Sequence, residues 1–523
     1  MIKFWKPFRV VISLTVLLFL AFIFVDFRQH MPSHGYKAFT WLQFVPSARE
    51  FFITLSLVAS GGFILVLLLT LLFGRVYCSV ICPLGIFQDV ISFFSKKLRK
   101  KQFRYKYAQP KTWMRYAFLA LAVVPLLFGS ILALGMLDPY SNFGRIFSDL
   151  GRPIYITGNN ILANLLIKVN IYSFSPEEIA HVDWITLILP LVILGTIVWL
   201  AIKWGRLYCN TVCPVGTFLG FVSKWSIFRI VIDKSSCTKC AQCAFVCKSQ
   251  CISIKEQEVD FSRCVGCFNC LKSCDNQSIT YKFALAPKKK KDIPQTDESK
   301  RQFLTGSILL TGAFLGLSTS SKAEDHENGQ KKGPKPNVKN HPCSPPGSKS
   351  IEHFNSACTA CHLCVSVCPN KVLQPSSLQY GLAGFLQPYQ DATNGYCNFE
   401  CTKCSEVCPN GAILPLTVEE KKLTQVGVAQ FIKQNCVVYT DETLCGACAE
   451  HCPTKAVRMV PYKDDLNIPE VTPNICVGCG ACEHACPAKP YRAIYVDGNA
   501  VHQVAEAPKE EQLEQKNLEE FPF

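Results

Sequence analysis

The chain has 523 residues, of which 49% are hydrophobic and 18% charged, and it carries 30 cysteines. That length implies more than one domain, and that balance is unusual for a wholly soluble protein. The formal net charge of +15 does not point to nucleic acid, because no recognisable nucleic-acid module accompanies it.

Residues 1–225 read as a four-helix membrane domain. Apolar stretches run from Val10 to Phe27, Phe51 to Phe73, Trp113 to Leu137 and Trp184 to Ile202, each near the roughly 20 residues that cross a bilayer as helix. Lys3, Lys6 and Arg9 precede the first stretch. Lys96, Lys97, Arg99, Lys100 and Lys101 lie between the second and third, whereas loops 28–50 and 138–183 are poorer in Lys and Arg. Positive charge stays inside, which places the N-terminus and the 74–112 loop in the cytoplasm.

A module follows the second and fourth stretches. It reads Gly74-Arg75-Val76-Tyr77-Cys78, then Cys82-Pro83-Leu84-Gly85, and again Gly205-Arg206-Leu207-Tyr208-Cys209, then Cys213-Pro214-Val215-Gly216. Phe87 and Phe218 close the two copies. A pseudo-twofold arrangement would bring Cys78, Cys82, Cys209 and Cys213 together. They are then additional ligands of a seventh metal centre, redox-active thiol pairs, or structural. At the outer face Asp138, Tyr140, Arg145, His181 and Asp183 are proton-handling candidates or ordinary interfacial anchors.

Residues 230–285 carry Cys237-x2-Cys240-x2-Cys243-x3-Cys247 and Cys264-x2-Cys267-x2-Cys270-x3-Cys274. This is the bacterial two-cluster ferredoxin pattern, in which three close thiolates cap one cubane and the fourth serves its neighbour. One cluster is expected on Cys237, Cys240, Cys243 and Cys274, the other on Cys264, Cys267, Cys270 and Cys247. Cys251 reads as packing. Residues 286–320 form a basic linker and a fifth apolar helix, Phe303 to Leu317. The preceding Ser299-Lys300-Arg301-Gln302-Phe303-Leu304 resembles a twin-arginine export signal with Lys for the first Arg. Export signal or plain anchor, either places the remainder outside the cytoplasm. Residues 321–350 are a linker, in which Cys343 is not expected to be a ligand.

Residues 351–505 hold four more motifs: Cys358, Cys361, Cys364, Cys368; Cys397, Cys401, Cys404, Cys408; Cys436, Cys445, Cys448, Cys452; and Cys476, Cys479, Cys482, Cys486, each followed by proline. Disulfide frameworks do not repeat C-x2-C-x3-C-P four times, and zinc does not explain six quartets. These 24 cysteines therefore predict six [4Fe–4S] clusters, whose charge of about −2 each when oxidised offsets most of the net positive charge. Residues 506–523 are an acidic tail. The fold class expected is an α-helical membrane domain plus α+β ferredoxin-like domains. Four transmembrane helices lead to a cytoplasmic two-cluster ferredoxin, a fifth anchor helix and an exported four-cluster polyferredoxin.

The doubled C-x3-C-P module followed by two ferredoxin motifs resembles NapH, the membrane iron–sulfur protein of periplasmic nitrate reduction systems. The part beyond the linker resembles NapG, their exported four-cluster partner, including the lead-in Pro345-Pro346-Gly347-Ser348, Phe354 and Cys358. That family implies oxidation of menaquinol or ubiquinol at the bacterial inner membrane. It also implies delivery of electrons to a periplasmic c-type cytochrome or terminal reductase, of nitrate or nitrous oxide type. The order tight, stretched, stretched, tight also resembles four-cluster subunits of respiratory oxidoreductases. This implies that Cys358, Cys361, Cys364 join Cys486; Cys476, Cys479, Cys482 join Cys368; Cys397, Cys401, Cys404 join Cys452; and Cys436, Cys445, Cys448 join Cys408. Two alternatives remain. One is an assembly or reactivation factor that reduces a partner's metal centre, since the doubled module also resembles proteins assisting cytochrome oxidase copper-site assembly. The other is a conduit for cytoplasmic electrons.

Overall fold

The computed structural model describes residues 5–26, 28, 30–54, 61–98, 104–179, 183–274, 276–283 and 334–507. The expected helix Phe303 to Leu317, the twin-arginine-like segment, His181 and the acidic tail beyond 507 lie outside the described residues.

The helical domain begins with α1 (Trp5–Val25), α2 (Ser33–Trp41), α3 (Phe44–Thr54), α4 (Gly61–Phe73), α5 (Tyr77–Val80) and α6 (Pro83–Leu98). It continues with α7 (Thr112–Leu127), α8 (Leu132–Leu137), α9 (Pro139–Arg145), a π-helical turn at Ile146–Gly151, α10 (Arg152–Ile167), α11 (Trp184–Trp204), α12 (Leu207–Thr211) and α13 (Pro214–Val222). Two helices, Lys6–Val25 within α1 and Trp184–Trp204, are long and apolar enough to cross a membrane; Gly61–Phe73 and Thr112–Leu127 are shorter apolar helices. The expected stretch Trp113 to Leu137 is not one helix. Pro125 lies inside α7, which ends at Leu127, and a turn precedes α8. Proline withholds a backbone donor and clashes with the preceding turn, so the helix stops soon after it. Asp138 then caps α9: its carboxylate accepts from the Ser141 N–H at 2.8 Å, with Pro139 at the first helical position.

The inner ferredoxin unit is closed by β1 (Phe228–Ile232) pairing antiparallel with β2 (Ile279–Phe283). In the outer domain each pair of consecutive cysteine motifs is joined by a hairpin. Leu373–Pro375 pairs with Pro388–Gln390 between the first two motifs, and Val457–Lys463 with Leu466–Val471 between the last two. The long ladder of Thr424–Phe431 with Ile494–Val504 ties the second pair together.

Basic side chains bind the units to each other. On the inner side Arg115 donates to the Ser262 hydroxyl (3.1 Å) and carbonyl (3.1 Å), and Tyr281 donates to the Phe73 carbonyl at 3.3 Å. On the outer side Arg145 donates to the carbonyls of Ala360 (2.9 Å) and Thr359 (3.3 Å), Arg152 to Val365 (3.1 Å), and Arg49 to Ala357. His362 binds Asp149 at 2.8 Å. Arg145 and Asp138 are therefore buried beneath the outer domain, at 0% and 1% exposure, and not at an open membrane face. Tyr140 is buried with them. Asp183 precedes α11, whose N-terminus it does not cap with its side chain.

Asp89 of α6 joins three basic groups: Arg206 at 2.9 Å, Lys248 at 3.2 Å and Arg9 at 3.8 Å. Burial alone would raise its pKa, but Arg206 and Lys248 hold the carboxyl well below the usual range. A depressed carboxyl stabilises the fold at pH above its unfolded value of about 4, and that contribution is lost as pH falls through the lower folded value. Asp89→Asn is expected to cost about 3–5 kcal/mol, because Arg206 is left buried and unpaired. Thermal unfolding at neutral pH, followed by circular dichroism, measures it. The gap to the native chain should narrow on acidification below about pH 4.

Candidate iron–sulfur centres

The proline of each C-x3-C-P module starts a helix. Pro214 is the first residue of α13, and the Cys213 sulfur before it accepts the Gly216 N–H at 3.3 Å. Cys82 stands likewise before Pro83 and accepts from Gly85 N–H. Each of these thiols thus sits at a helix N-terminus, where exposed N–H groups favour a thiolate. The glycines are needed for close approach. A Cβ on Gly85 would collide with the Cys78 carbonyl oxygen, and one on Gly216 with that of Cys209.

The two modules exchange arginines. Arg206 donates to the Cys78 carbonyl at 2.6 Å, and Arg75 to the Cys209 carbonyl at 3.0 Å. Each guanidinium also approaches the cysteine of its own module, Arg75 to Cys78 sulfur at 3.8 Å and Arg206 to Cys209 sulfur at 3.9 Å. Gln88 donates to Cys209 sulfur at 3.4 Å. The expected pseudo-twofold meeting of the four thiols is present: all four are at most 4% exposed, and Cys82 and Cys213 each interact electrostatically with Cys78 and Cys209. Burial, then the neighbouring thiols, pushes Cys82 and Cys213 well up. Among the described residues no three metal-binding side chains are close enough for a single metal ion.

The module tyrosines point to the outer side. Tyr77 hydroxyl accepts from Phe44 N–H (3.1 Å) and donates to Gln43 (3.3 Å); Tyr208 hydroxyl accepts from Asn142 (3.3 Å) and donates to the Leu137 carbonyl (3.4 Å). On the inner side Asn210 reaches the Ser249 carbonyl (3.3 Å) and Arg206 N–H the Lys248 carbonyl (3.0 Å). Both acceptors follow Cys247 in the chain. One buried apolar core runs without a break from Cys267 through Cys78, Cys82, Cys209 and Cys213 to Cys361.

In the inner unit Cys243 interacts with Cys240, Cys237 and Cys274, and Cys247 lines one cavity of about 310 Å³ with Cys264, Cys267 and Cys270. Cys251 lies against the second set, its sulfur 3.6 Å from that of Cys247. With Cys247 holding a cluster as a thiolate, the Cys251 thiol would donate to its sulfur, and hydrogen bonds to sulfur raise cluster potential. Cys251→Ala is therefore expected to keep the native iron content while making that cluster's midpoint potential more negative in an EPR-monitored titration.

The outer cysteines gather into four sets. Cys358, Cys361, Cys364 and Cys408 line one cavity, Cys368, Cys397, Cys401 and Cys404 a second, and Cys436, Cys445, Cys448 and Cys486 a third. Cys482 interacts with Cys479, Cys476 and Cys452 to make the fourth. The three cavities are about 310, 360 and 300 Å³. This corrects the outer-with-outer pairing implied by respiratory subunits. Consecutive motifs exchange fourth cysteines instead, because the short hairpin between them folds each motif back on the next. Backbone N–H groups donate to ligand sulfurs at 3.4 Å, Ala360 to Cys358, Ile413 to Cys408 and Ala493 to Cys486. Thiolate quartets with N–H donors suit a [4Fe–4S] cluster in donor type and space.

The sets form a line. The first sits against Arg145 and α9. The second shares a motif pair with it, and Cys397 N–H donates to the Cys479 carbonyl of the fourth-motif set at 2.8 Å. Cys448 of the remaining set interacts with Cys482, so the set at Cys436, Cys445, Cys448 and Cys486 is the far end. Cys343 belongs to none of the four sets but packs in the same buried core as Cys476 and Cys482, its thiol 3.9 Å from the Val496 carbonyl. Sequence reasoning gave no role to Arg75, Arg206, Gly85 or Gly216, although their repetition in both modules was the available signal.

Repeated cysteine loops, each exchanging its last thiol with a neighbour, define an iron–sulfur protein of ferredoxin type. A 4Fe-4S binding domain matches residues 55–101 and 186–232, and 4Fe-4S dicluster domains match 357–413 and 443–489. The dicluster matches fall on the consecutive pairs. The chain is 30% identical to the ferredoxin-type protein NapF of Escherichia coli K12 over 135 residues, 26% of this chain and 73% of NapF. It is 33% identical to NapG of the same organism over 110 residues (21% of this chain, 47% of NapG). It is 24% identical to NapH of Haemophilus influenzae over 193 residues (37% and 54%). It also matches methylamine-utilization ferredoxin-type proteins MauM, spanning about six tenths of their length. No solved structure matches. The chain belongs to the Nap group of ferredoxin-type proteins, as a Nap-like fusion.

Proposed function

We propose that this protein is a membrane-bound electron carrier that takes electrons from quinol and passes them along six [4Fe–4S] clusters and a central four-thiol centre to an acceptor outside the membrane. The continuous buried core from Cys267 to Cys361 carries this reading. The helix α1 has 21 residues and so spans about 31 Å, with Lys6 near Cys267 at one end and the outer domain at the other. Electron tunnelling falls exponentially with distance, so carriers at the two ends need a station between them. Cys78, Cys82, Cys209 and Cys213 lie there, inside the two windows that match a 4Fe-4S binding domain.

The iron–sulfur clusters supply one-electron transfer when bound. The residues fix its order: Arg145 and Arg49 clamp the first outer set onto the helical domain, and N–H donors orient the thiolates. The resemblance to NapH and NapG drawn from the cysteine motifs implies quinol as donor, the bacterial inner membrane as location, and a periplasmic c-type cytochrome or terminal reductase as acceptor. In this reading the inner ferredoxin is cytoplasmic and the four-set domain periplasmic.

A second input is favoured by the same core. Electrons from a cytoplasmic donor would enter at the inner ferredoxin and meet quinol-derived electrons at the first outer set. The test uses the full chain in proteoliposomes under anaerobic conditions, with outer-cluster reduction followed by EPR. Quinol alone is expected to reduce the outer clusters. Reduction only with a low-potential donor on the ferredoxin side would leave the second reading in its place.

A further inference from the structure

The cavity that suits the second inner cluster is lined by five cysteines, not four. Cys247, Cys264, Cys267 and Cys270 share it with Cys251 and Ser249, and the rest of its wall is aliphatic or aromatic. Cys251 is 2% exposed, its sulfur lies 3.6 Å from that of Cys247, and it interacts with Cys264 as well. It thus stands beside two of the four ligands of one cluster. Ser249 is 5% exposed, and among the described residues its hydroxyl has no partner. A buried hydroxyl needs an acceptor, and the sulfur of a bound cluster supplies one.

The backbone explains how a fifth thiol comes to be there. Three residues after the fourth cysteine of a motif the chain turns through the left-handed region: Gln250, Gln277, Lys371, Gly411 and Lys455 have φ of 52°, 51°, 56°, 64° and 55°. That turn folds the next side chain back onto a cluster cavity. Val372 lines the cavity of Cys368, and Ala412 that of Cys408. Ser278 and Ala456 occupy the same position in two further motifs. Of these five positions only Cys251 carries a thiol, where alanine or valine suffices for packing.

We propose that Cys251 is a reserve ligand of the second inner cluster, able to replace Cys247 on the same iron. The proposal rests on that cluster being held by Cys247, Cys264, Cys267 and Cys270. Cys247 is the resting ligand, because its sulfur accepts the backbone N–H groups of Ser249, Gln250 and Cys251, and such donors favour a thiolate. In the exchange the iron–sulfur bond to Cys247 breaks and one to Cys251 forms. The proton of the Cys251 thiol passes to the Cys247 sulfur, 3.6 Å away. Neither an electron nor an outside reactant is needed. The two states differ in potential: with Cys251 bound, the three N–H donors rest on a sulfur outside the cluster, and fewer hydrogen bonds to ligand sulfur lower the potential. Cys267 belongs to the core shared with the central thiols, so the exchange acts on the cluster next to the helical domain.

The test is the iron and acid-labile sulfide content of the full-length protein purified anaerobically, beside an EPR-monitored redox titration. Cys247→Ala is expected to keep the native iron content, with the midpoint potential of one inner signal shifted to a more negative value. Cys247→Ala combined with Cys251→Ala is expected to lose that signal and about four irons per chain, while native outer signals report an intact fold. Equal iron loss in the single and double variants would overturn the reserve role, as would native iron in both. Cys267→Ala combined with Cys270→Ala leaves three thiols in the cavity. Native iron and native signals in that variant would overturn the cluster at this cavity, and the reserve role with it.

Discussion

The double substitution Cys82→Ser and Cys213→Ser is expected to cut the inner ferredoxin off from the outer clusters while leaving both groups assembled. These thiols lie at two helix N-termini between the two units, and neither belongs to a ferredoxin motif. If the four-thiol centre is a [4Fe–4S] cluster, iron should fall from about 28 to about 24 per chain. Electrons supplied at the inner ferredoxin should then fail to reach the outer clusters, with the rate falling at least a hundredfold. Dithionite should still reduce the outer clusters directly, which separates a cut path from lost clusters. Serine keeps the size of the side chain, so loss of packing is a minor effect. Unchanged iron together with unchanged inner-to-outer transfer would reduce the thiols to packing.

The cysteine spacing made much of this arrangement legible, for a physical reason. A C-x2-C-x2-C loop is short enough that its thiols must converge whatever surrounds it. The meeting of Cys78 and Cys82 with Cys209 and Cys213 was legible from the repeat itself. Three things were not. Spacing inside a motif says nothing about which neighbour takes the fourth thiol; the hairpins Leu373–Pro375 with Pro388–Gln390 and Val457–Lys463 with Leu466–Val471, which lie between the motifs, decide that. Hydropathy merges α7 with α8, because Pro125 is apolar as well as helix-breaking. Asp138 and Arg145 look interfacial by position, yet the docking of the outer domain over α9 buries them.

Arg75→Met is expected to act on the central centre more strongly than any other single change near it. Arg206 has a carboxylate partner in Asp89 at 2.9 Å. Among the described residues Arg75 has none; its partners are Asn210, two carbonyls and the Cys78 sulfur, and its Nε is unpaired. A fully buried guanidinium without a counter-charge is strongly unfavourable. Four neutral thiols do not supply that charge, whereas a thiolate-bound cluster does. Removing the arginine therefore takes positive charge from beside a negative centre, and the reduced state, with one more negative charge, loses most. The midpoint potential of the central signal should shift to a more negative value, and inner-to-outer transfer should slow in proportion. If the thiols instead stay protonated in the working protein, Arg75→Met relieves a buried charge. The chain then becomes more stable, with every cluster potential unchanged. A redox titration followed by EPR, beside a thermal melt of the same preparation, separates the two outcomes by sign.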